Sequence, residues 1–303
     1  MRIRLFFGLY ASAAMVGFAG ADDNIEVTPI SKAIQVEPAP ATTAPTWSAT
    51  LESDYTFGSR FKDNGAFGSQ SEFHYSIQAS RRINLGDSWF LKIGFAEEQF
   101  QFSRSNSSIP YSLTKIAGQI GIGSALTDSL SWEADVAPGV YFTRDHITAN
   151  SFDAPAVLLG HWQVNPHLTL SLGVGGRYLN QDHVLPVGGL RWDISDRWTL
   201  NAGFPKTRLS YAITPETNIY VGGEILDGGF RNGPTDDRRT NNAVLSYSEE
   251  RLAGGLVFKL IRGVQLDCSS GFNFQREFNY FHAGPVFRTK GAPFLETQLH
   301  LDL

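Results

Sequence analysis

The stretch His74-Tyr75-Ser76 sets an imidazole and a hydroxyl two residues apart. Alternate residues of a β-strand point to the same face, so in a strand these two side chains would lie side by side. A histidine beside a serine can act as the general base that activates a nucleophile. The stretch is therefore a candidate site for hydrolysis, although the sequence assigns no acid or amide that would orient the imidazole.

Six charged residues make a second candidate site, because each lies at a polar position in a segment whose alternate positions are apolar. They are Glu133, Asp135, Arg191, Asp193, Arg208 and Glu224. If the segments enclose a lumen, these side chains line its pore with both signs of charge. Opposed charges can orient a passing solute, or they can pair and brace the wall. We favour bracing, because ion pairs in a wall need no role beyond satisfying each other.

Several other functions find no support in the composition. The net charge of -5 argues against nucleic acid as a partner, since nucleic-acid binding requires a basic surface. The seven histidines are dispersed along the chain, so we predict no metal site and no cofactor. A single cysteine, Cys268, excludes an intramolecular disulfide. The pair Gly222-Gly223 lacks a following helix and does not predict a phosphate-binding loop.

Residues 1–21 have the features of a secretory signal peptide. Two arginines form a positive region, an apolar run follows, and Ala19-Gly20-Ala21 fits a small-residue cleavage site. The sequence thus predicts recognition by the export machinery, followed by cleavage. Residues 22–46 are rich in Pro, Ala and Thr, and we interpret them as a flexible periplasmic linker.

From Trp47 to the end of the chain, apolar and polar residues alternate with a period of two. In the first such segment Trp47, Ala49 and Leu51 share one face, and the residues between them are polar. About fourteen segments of this kind can be counted, each near the roughly 10 residues of a tilted membrane strand. Twelve strands are an alternative, because the segment from Trp198 to Ile213 is short enough to be an inset hairpin.

Connections between these segments alternate in length. Short turns occur around Gly86-Asp87, Asn165-Pro166 and Arg262-Gly263, whereas longer polar stretches include residues 227–242 and 275–292. Short periplasmic turns and longer extracellular loops are typical of outer-membrane barrels. The connections therefore favour such a barrel over a soluble β-sandwich.

The apolar face of the segments has the features of a surface in contact with lipid. In the counted registers no Lys, Arg, Asp or Glu occupies it, as expected where a charge at the membrane midplane would cost about 2–4 kcal/mol. All six tryptophans share this register at or near the rim with short turns, where indole rings would form an interface girdle. They are Trp47, Trp89, Trp132, Trp162, Trp192 and Trp198. Other aromatic residues toward the opposite ends would form the second girdle, namely Phe57, Phe73, Tyr75, Phe95, Phe204, Phe272 and Phe274.

These patterns predict an all-β fold, a closed antiparallel transmembrane β-barrel over residues 47–303. Backbone groups in hydrocarbon must all pair, so strands can be stable there only in a closed barrel. Closure requires the last segment to pair with the first. The final stretch LETQLHLDL places its leucines in one register and Glu, Gln, His and Asp in the other, and we predict that it is the closing strand.

Residues 190–230 resemble an uncharacterised, domain-of-unknown-function family of Gram-negative outer-membrane β-barrel proteins. The resemblance rests on the turn Ser195-Asp196-Arg197-Trp198, the Phe204-Pro205 break in a short hairpin, Tyr211, and a Gly-rich strand ending near Asp227-Gly228-Gly229. It implies the same fold and a location in the cell outer membrane. Because the family has no assigned activity, the resemblance supplies no catalytic or binding residues.

The leading functional hypothesis is a porin-like channel for passive movement of small solutes. About fourteen strands would enclose a bore wider than the side-chain-filled interior of eight-stranded barrels. Outer-membrane lipid and the barrel-assembly machinery are the expected partners. One alternative is a structural or surface-binding barrel that acts through its long loops.

A lipid hydrolase is the weaker alternative. The pair His74 and Ser76 resembles the His-x-Ser of outer-membrane phospholipases and lipid A deacylases. The active sites of those enzymes face the membrane, whereas the register here directs both side chains to the lumen. We therefore do not expect an enzyme.

Overall fold

A computed structural model describes residues 46–62, 68–103, 109–144, 146–180, 183–280 and 284–303. These residues form seventeen β-strands and one short 3₁₀ helix, Ala149–Ser151. Among the described residues, no helix is long and apolar enough to cross a membrane.

The strands follow one another with few interruptions. The first nine are β1 Trp47–Arg60, β2 Ser69–Leu85, β3 Trp89–Phe102, β4 Ser112–Ala125, β5 Leu130–Val136, β6 Gly139–Thr143, β7 Phe152–Asp153, β8 Ala156–Asn165 and β9 Leu168–Gly176. The remaining eight are β10 Val184–Asp193, β11 Trp198–Gly203, β12 Lys206–Thr214, β13 Thr217–Arg231, β14 Val244–Ile261, β15 Val264–Asn279, β16 Val286–Arg288 and β17 Ala292–Asp302.

Fourteen of these strands form a closed antiparallel ring, which confirms the predicted barrel and its strand number. The order is β1-β2-β3-β4-β5-β8-β9-β10-β11-β12-β13-β14-β15-β17, and β17 pairs back with β1. The closing pair runs in register from Ser48 opposite Asp302 to Thr56 opposite Phe294. The short β11–β12 hairpin lies within the wall and pairs with β10 and β13, so the alternative of twelve strands is wrong.

The two rims of the ring differ in their connections. One rim, here called the turn rim, carries the short turns, and the amide of Trp47 donates to the carbonyl of Leu303 there at 3.0 Å. The opposite rim, here called the loop rim, carries the long connections. The exception on the loop rim is the β11–β12 hairpin, whose strands are joined by Phe204-Pro205 alone.

A band of exposed apolar side chains surrounds the barrel. Leu51, Ile93 and Leu158 are 49%, 48% and 49% exposed, whereas the residues that alternate with them face inward. So continuous an apolar surface is rare on a monomeric soluble protein, and it suits contact with lipid tails. Toward the loop rim the outward positions become polar, as with Glu97 on β3 and Glu250 on β14, so the band ends there.

Strands differ in how far they continue beyond the apolar band. The β11–β12 hairpin ends where Lys206 pairs with Glu224, next to the edge of the band. By contrast β13 continues to Arg231 and stays paired with β14 throughout. The wall is therefore low at the hairpin and high on either side of β14.

The tall strands close into a narrower ring at the loop rim. There β6 pairs with β4, and Phe142 of β6 forms a parallel bridge with Arg231 of β13. On the other side β16 pairs with β15, and Thr289 bridges to Phe61 just beyond β1. We call this assembly the narrow ring; its strands are β1, β2, β3, β4, β6, β13, β14, β15 and β16.

The interior of the narrow ring is filled by one cluster of buried, mostly aromatic side chains. It comprises Phe61, Phe100, Phe102, Ile109, Leu113, Ala117, Tyr141, Leu179, Leu226, Phe230, Leu245, Tyr247, Phe278, Tyr280 and Phe287. A ring of about eight strands is just wide enough for side chains to fill it, and the narrow ring, with nine strands of which β6 and β16 are short, is close to that size. The narrow ring is therefore a packed plug at the loop-rim end of the barrel.

Candidate functional site

His74 lies inside the barrel next to the aromatic cluster and has no exposed surface. Its Nδ1 is 2.6 Å from Asp54 Oδ2, and its Nε2 is 3.1 Å from Glu98 Oε1. A neutral imidazole carries one N–H, so hydrogen bonds from both nitrogens to carboxylates require the protonated ring. The ring also stacks on Phe100, with centroids 4.3 Å apart. His74 is thus positioned as a buried cation between two acidic side chains.

Arg251 of β14 is the centre of the neighbouring contacts. Its guanidinium donates to both oxygens of Asp54, at 3.1 and 3.2 Å, and its Nε donates to Glu249 at 2.9 Å. Arg251 also lies within 3.9 Å of Glu296 on β17. Planar guanidinium groups suit such two-point contacts with carboxylates. Arg251 therefore ties β14 to β1 across the inside of the closing seam.

Three further contacts extend the network to β15 and β4. Arg276 donates to Glu72 at 3.0 Å, and the hydroxyl of Tyr247 lies 2.6 Å from the same carboxylate. On the opposite side Lys115 donates to Glu98 at 2.5 Å. We call the whole set the charged layer: Asp54, Glu72, His74, Glu98, Lys115, Glu249, Arg251 and Arg276. It crosses the lumen directly beneath the aromatic cluster.

Glu52, Asp54 and His74 also form a cluster that could offer three ligand atoms to a metal ion. One atom from each residue lies within 4.8 Å of the others, and all three side chains are buried. Both oxygens of Asp54 are already bound by Arg251, and a cation there would have to compete with that guanidinium. The sequence did not predict this cluster, because its members come from two strands.

The structure places His74 and Ser76 on the same inward face, but it does not join them. Ser76 Oγ accepts from Gln78 at 3.3 Å, while His74 Nε2 points to Glu98. Both side chains have no exposed surface. The acid that the sequence could not assign is Asp54 on the neighbouring strand. The arrangement orients His74 as a cation in an ion-pair network instead of as a base toward Ser76.

The six residues predicted to line the pore lie on the inward face, each with an ionisable neighbour, and Glu224 is opposite Arg251 at the height of the charged layer. The pairs are Glu133 with His161 at 3.7 Å, Asp135 with Lys92 at 2.9 Å, Arg191 with Asp193 at 3.2 Å, Arg208 with Asp267 at 3.1 Å, and Glu224 with Lys206 at 3.6 Å. They therefore fall into separate groups around the wall. Their side chains are only partly buried, since that of Asp193 is 31% exposed.

The six tryptophans lie on the outer surface toward the turn rim. Trp47 and Trp162 are 49% and 52% exposed, and Trp89 contacts Trp132 edge to face at 5.7 Å. Trp192 and Trp198 flank one turn, and both are exposed. Phe204, which the sequence assigned to the second girdle, instead packs inside against Val157, Leu159 and Val187, because it lies at the tip of the low hairpin.

One small cavity lies between the narrow ring and the β9–β10 connection. It is lined by Glu98, Phe100, Lys115, Tyr141, Asp153, Pro155, Arg177, Asp227, Gly228, Gly229 and Phe230. Its volume for a water-sized occupant is about 20 Å³, which is room for about one water molecule. In this conformation the cavity holds no larger solute.

A closed barrel of fourteen strands with an apolar outer band and a charged interior defines an outer-membrane-type β-barrel. The family described as a domain of unknown function (DUF6268) matches residues 49–301 of the chain. The protein belongs to this family, which confirms the resemblance noted in the sequence.

Solved structures of outer-membrane channels have similar folds. An outer-membrane channel from Pseudomonas putida F1 is 10% identical, with a TM-score of 0.50 over 89% of this chain and 100% of that chain. A Pseudomonas aeruginosa FadL homologue is 9% identical, with a TM-score of 0.49 over 89% and 95% of the two chains. The Pseudomonas putida toluene transporter TodX is 10% identical, with a TM-score of 0.46 over 86% and 92%. A comparison with curated protein sequences found no match.

Proposed function

We propose that the protein is a porin-like channel of the cell outer membrane, closed in the conformation described here. The observation that carries this proposal is the change in width along the barrel. Between the turn rim and the charged layer the wall has fourteen strands, more than the roughly eight whose interior side chains can fill. This part of the lumen is lined by partly exposed charges, such as Lys92 and Asp193.

In this proposal the turn rim faces the periplasm and the loop rim faces the outside, as in other barrels of this class. The solutes are small and polar, and both signs of charge line their path. The same proposal includes insertion of the barrel by the assembly machinery and contact with outer-membrane lipid. It also assigns the protein no catalytic function.

The membrane location can be tested by placing a charge in the apolar band. We expect Leu51→Arg to destabilise the barrel by about 2–4 kcal/mol in lipid vesicles, because Leu51 lies in the middle of the band. The control is Leu126→Arg in the β4–β5 turn, where Leu126 is 59% exposed beyond the end of β4. There the cost should be about 0–1 kcal/mol. Equal costs in urea unfolding would contradict the membrane assignment.

Channel function can be tested in planar lipid bilayers with the purified protein. We expect discrete, infrequent conductance steps, since the lumen is closed most of the time. Reversing one lumen charge with Arg191→Glu should shift the reversal potential in a salt gradient toward cation selectivity. The matched control is Arg239→Glu, which makes the same change of charge on an exposed loop.

A bilayer that stays closed under all voltages would contradict the channel and favour the second candidate, a structural or surface-binding barrel. The filled narrow ring is the observation that favours that candidate. A conducting protein whose selectivity is unchanged by Arg191→Glu would show that the current does not pass this part of the wall.

A further inference from the structure

The narrow ring covers only part of the loop-rim end of the barrel. Strands β8 to β12 do not belong to it, and the β11–β12 hairpin ends at the edge of the apolar band. The narrow ring does not cover the lumen beside these five strands, and we call the loop-rim end of that part the side mouth. This side mouth is bounded by β10, by the hairpin tip at Phe204-Pro205 and by the outer face of β13 above Ile225, whose amide donates to Pro205.

Residues 177–180, here called the strap, cross this side mouth from the end of β9 to β13. Arg177 at its start forms an ion pair with Asp227 of β13. Two residues further on, Leu179 has no exposed surface and packs into the aromatic cluster of the narrow ring. A Cβ on Gly229 would lie 1.4 Å from the Leu179 carbonyl oxygen, so only glycine lets the strap backbone approach β13 this closely.

A few hydrogen bonds hold the strap in place. The carboxylate of Asp153 on β7 accepts from the backbone N–H groups of Tyr178 and Leu179, each at 3.0 Å. The side chains of Asn180 and Ser246 lie 3.5 Å apart. These contacts attach the strap to β7, β13 and β14, and the Arg177 amide also donates to the His183 carbonyl at 3.1 Å. Most strands of the narrow ring are instead joined by long ladders and by the charged layer, although β6 meets β13, and β16 meets the end of β1, through single bridges.

Directly below the strap the inner wall has an apolar patch. Val157 and Leu159 of β8 pack with Val187 of β10 and with Phe204. The water-sized cavity lies on the other side of the strap, beside Arg177 and Asp227. With the strap in place, nothing larger than about one water molecule fits into that cavity.

We propose that the strap is the gate of the channel. It opens when the pair of Arg177 and Asp227 separates and Leu179 leaves its pocket, while the narrow ring stays closed. Small polar solutes then pass through the side mouth, not along the central axis. This gate proposal rests on the proposed channel function and specifies the route that solutes take through the channel.

Fastening the strap with a disulfide tests the gate directly. The pair Asn180→Cys and Ser246→Cys, in a Cys268→Ser background, joins the strap to β14. We expect oxidation to lower the open probability at least tenfold in planar bilayers, and we expect reductant to restore it. The control pair Ser53→Cys and Thr297→Cys joins β1 to β17, where these residues are opposite each other, and its oxidation should not change conduction. An oxidised strap pair that conducts as before would overturn the gate.

Loosening the strap should have the opposite effect. In Arg177→Ala one charge-assisted hydrogen bond is lost, so we expect the open probability to rise about tenfold. The control Arg239→Ala removes a surface arginine of the neighbouring β13–β14 loop. It should leave the open probability unchanged. If Arg177→Ala conducts no more than Arg239→Ala, then the ion pair does not hold the gate closed.

Thiol labelling reports strap opening without requiring conduction. In the Cys268→Ser background, Leu179→Cys should react with a soluble maleimide much faster than Leu245→Cys, although both leucines are 0% exposed. Asn180→Cys serves as a second strap position if Leu179→Cys fails to fold. If Leu179→Cys is labelled fast but the barrel never conducts, then the strap is mobile and the channel proposal is wrong. If Leu179→Cys and Leu245→Cys are labelled equally slowly in a barrel that conducts, then the gate proposal is wrong and the channel proposal is unaffected.

Discussion

Replacing Arg251 with alanine should destabilise the folded barrel by about 3–5 kcal/mol. The guanidinium is the partner of both oxygens of Asp54 and of Glu249, and all three side chains are buried. Removing it leaves Glu249 without this cation and Asp54 with His74 alone, and an incompletely compensated buried charge costs far more than an intact ion pair contributes. The loss also disconnects β14 from β1.

The measurement is equilibrium unfolding in urea, with the barrel in lipid vesicles. Arg239→Ala is the matched control, because its pair with Asp237 is on the surface and its arginine side chain is 65% exposed. That change should cost about 0–1 kcal/mol. Arg251→Lys should recover part of the stability, since it restores the charge without the planar two-point contact. A cost for Arg251→Ala below 1 kcal/mol would mean that the charged layer does not hold the strands together.

Replacing Phe278 with alanine should destabilise the barrel by a similar amount, about 3–5 kcal/mol. Phe278 has no exposed surface, and its ring lies 4.9 Å from Tyr247 and 5.1 Å from Phe102, measured between centroids. The substitution leaves a cavity in the centre of the narrow ring, where the strands are too constrained by their ladders to collapse around it.

Phe274→Ala on the same strand is the control for this second prediction. Phe274 faces outward and is 51% exposed, and its main ring contact is with Phe272. Its removal leaves no internal cavity, so we expect a clearly smaller loss of stability in the same assay. Equal losses for the two variants would show that the aromatic cluster is not a tightly packed core.

Much of the wall could be predicted from the sequence, because the lipid-facing register is a local property. On β3 the outward residues Leu91, Ile93 and Phe95 alternate with inward ones, and Trp89 begins the strand next to a short turn. Such a pattern needs no information from other strands. The strand number followed from counting the patterns.

The narrow ring could not be predicted in the same way, although the sequence carries a sign of it. Beyond Phe95 the apolar residues of β3 change register, since Phe100 and Phe102 face inward while Glu97 faces outward. On β14 the same change separates outward Leu252 from inward Tyr247. Such a change of the apolar register marks the height at which the strand leaves lipid and encloses a dry interior.

The closure of that ring and the candidate site depend on contacts between distant segments. The parallel bridge of Phe142 with Arg231 joins strands that are far apart in the chain, and no alternation predicts it. The acid next to His74 is Asp54 on another strand. Sequence spacing drew attention to Ser76 instead, because only neighbours on one strand can be placed from a periodic pattern.

The seam between the first and last strands has a consequence for biogenesis. Thr50 and His300, whose side chains hydrogen-bond inside the seam, are separated by 250 positions along the polypeptide. The cylinder therefore cannot form during synthesis, and until the final strand arrives its two unpaired edges are free to bind other strands. A nascent precursor of this kind depends on protection from aggregation until insertion.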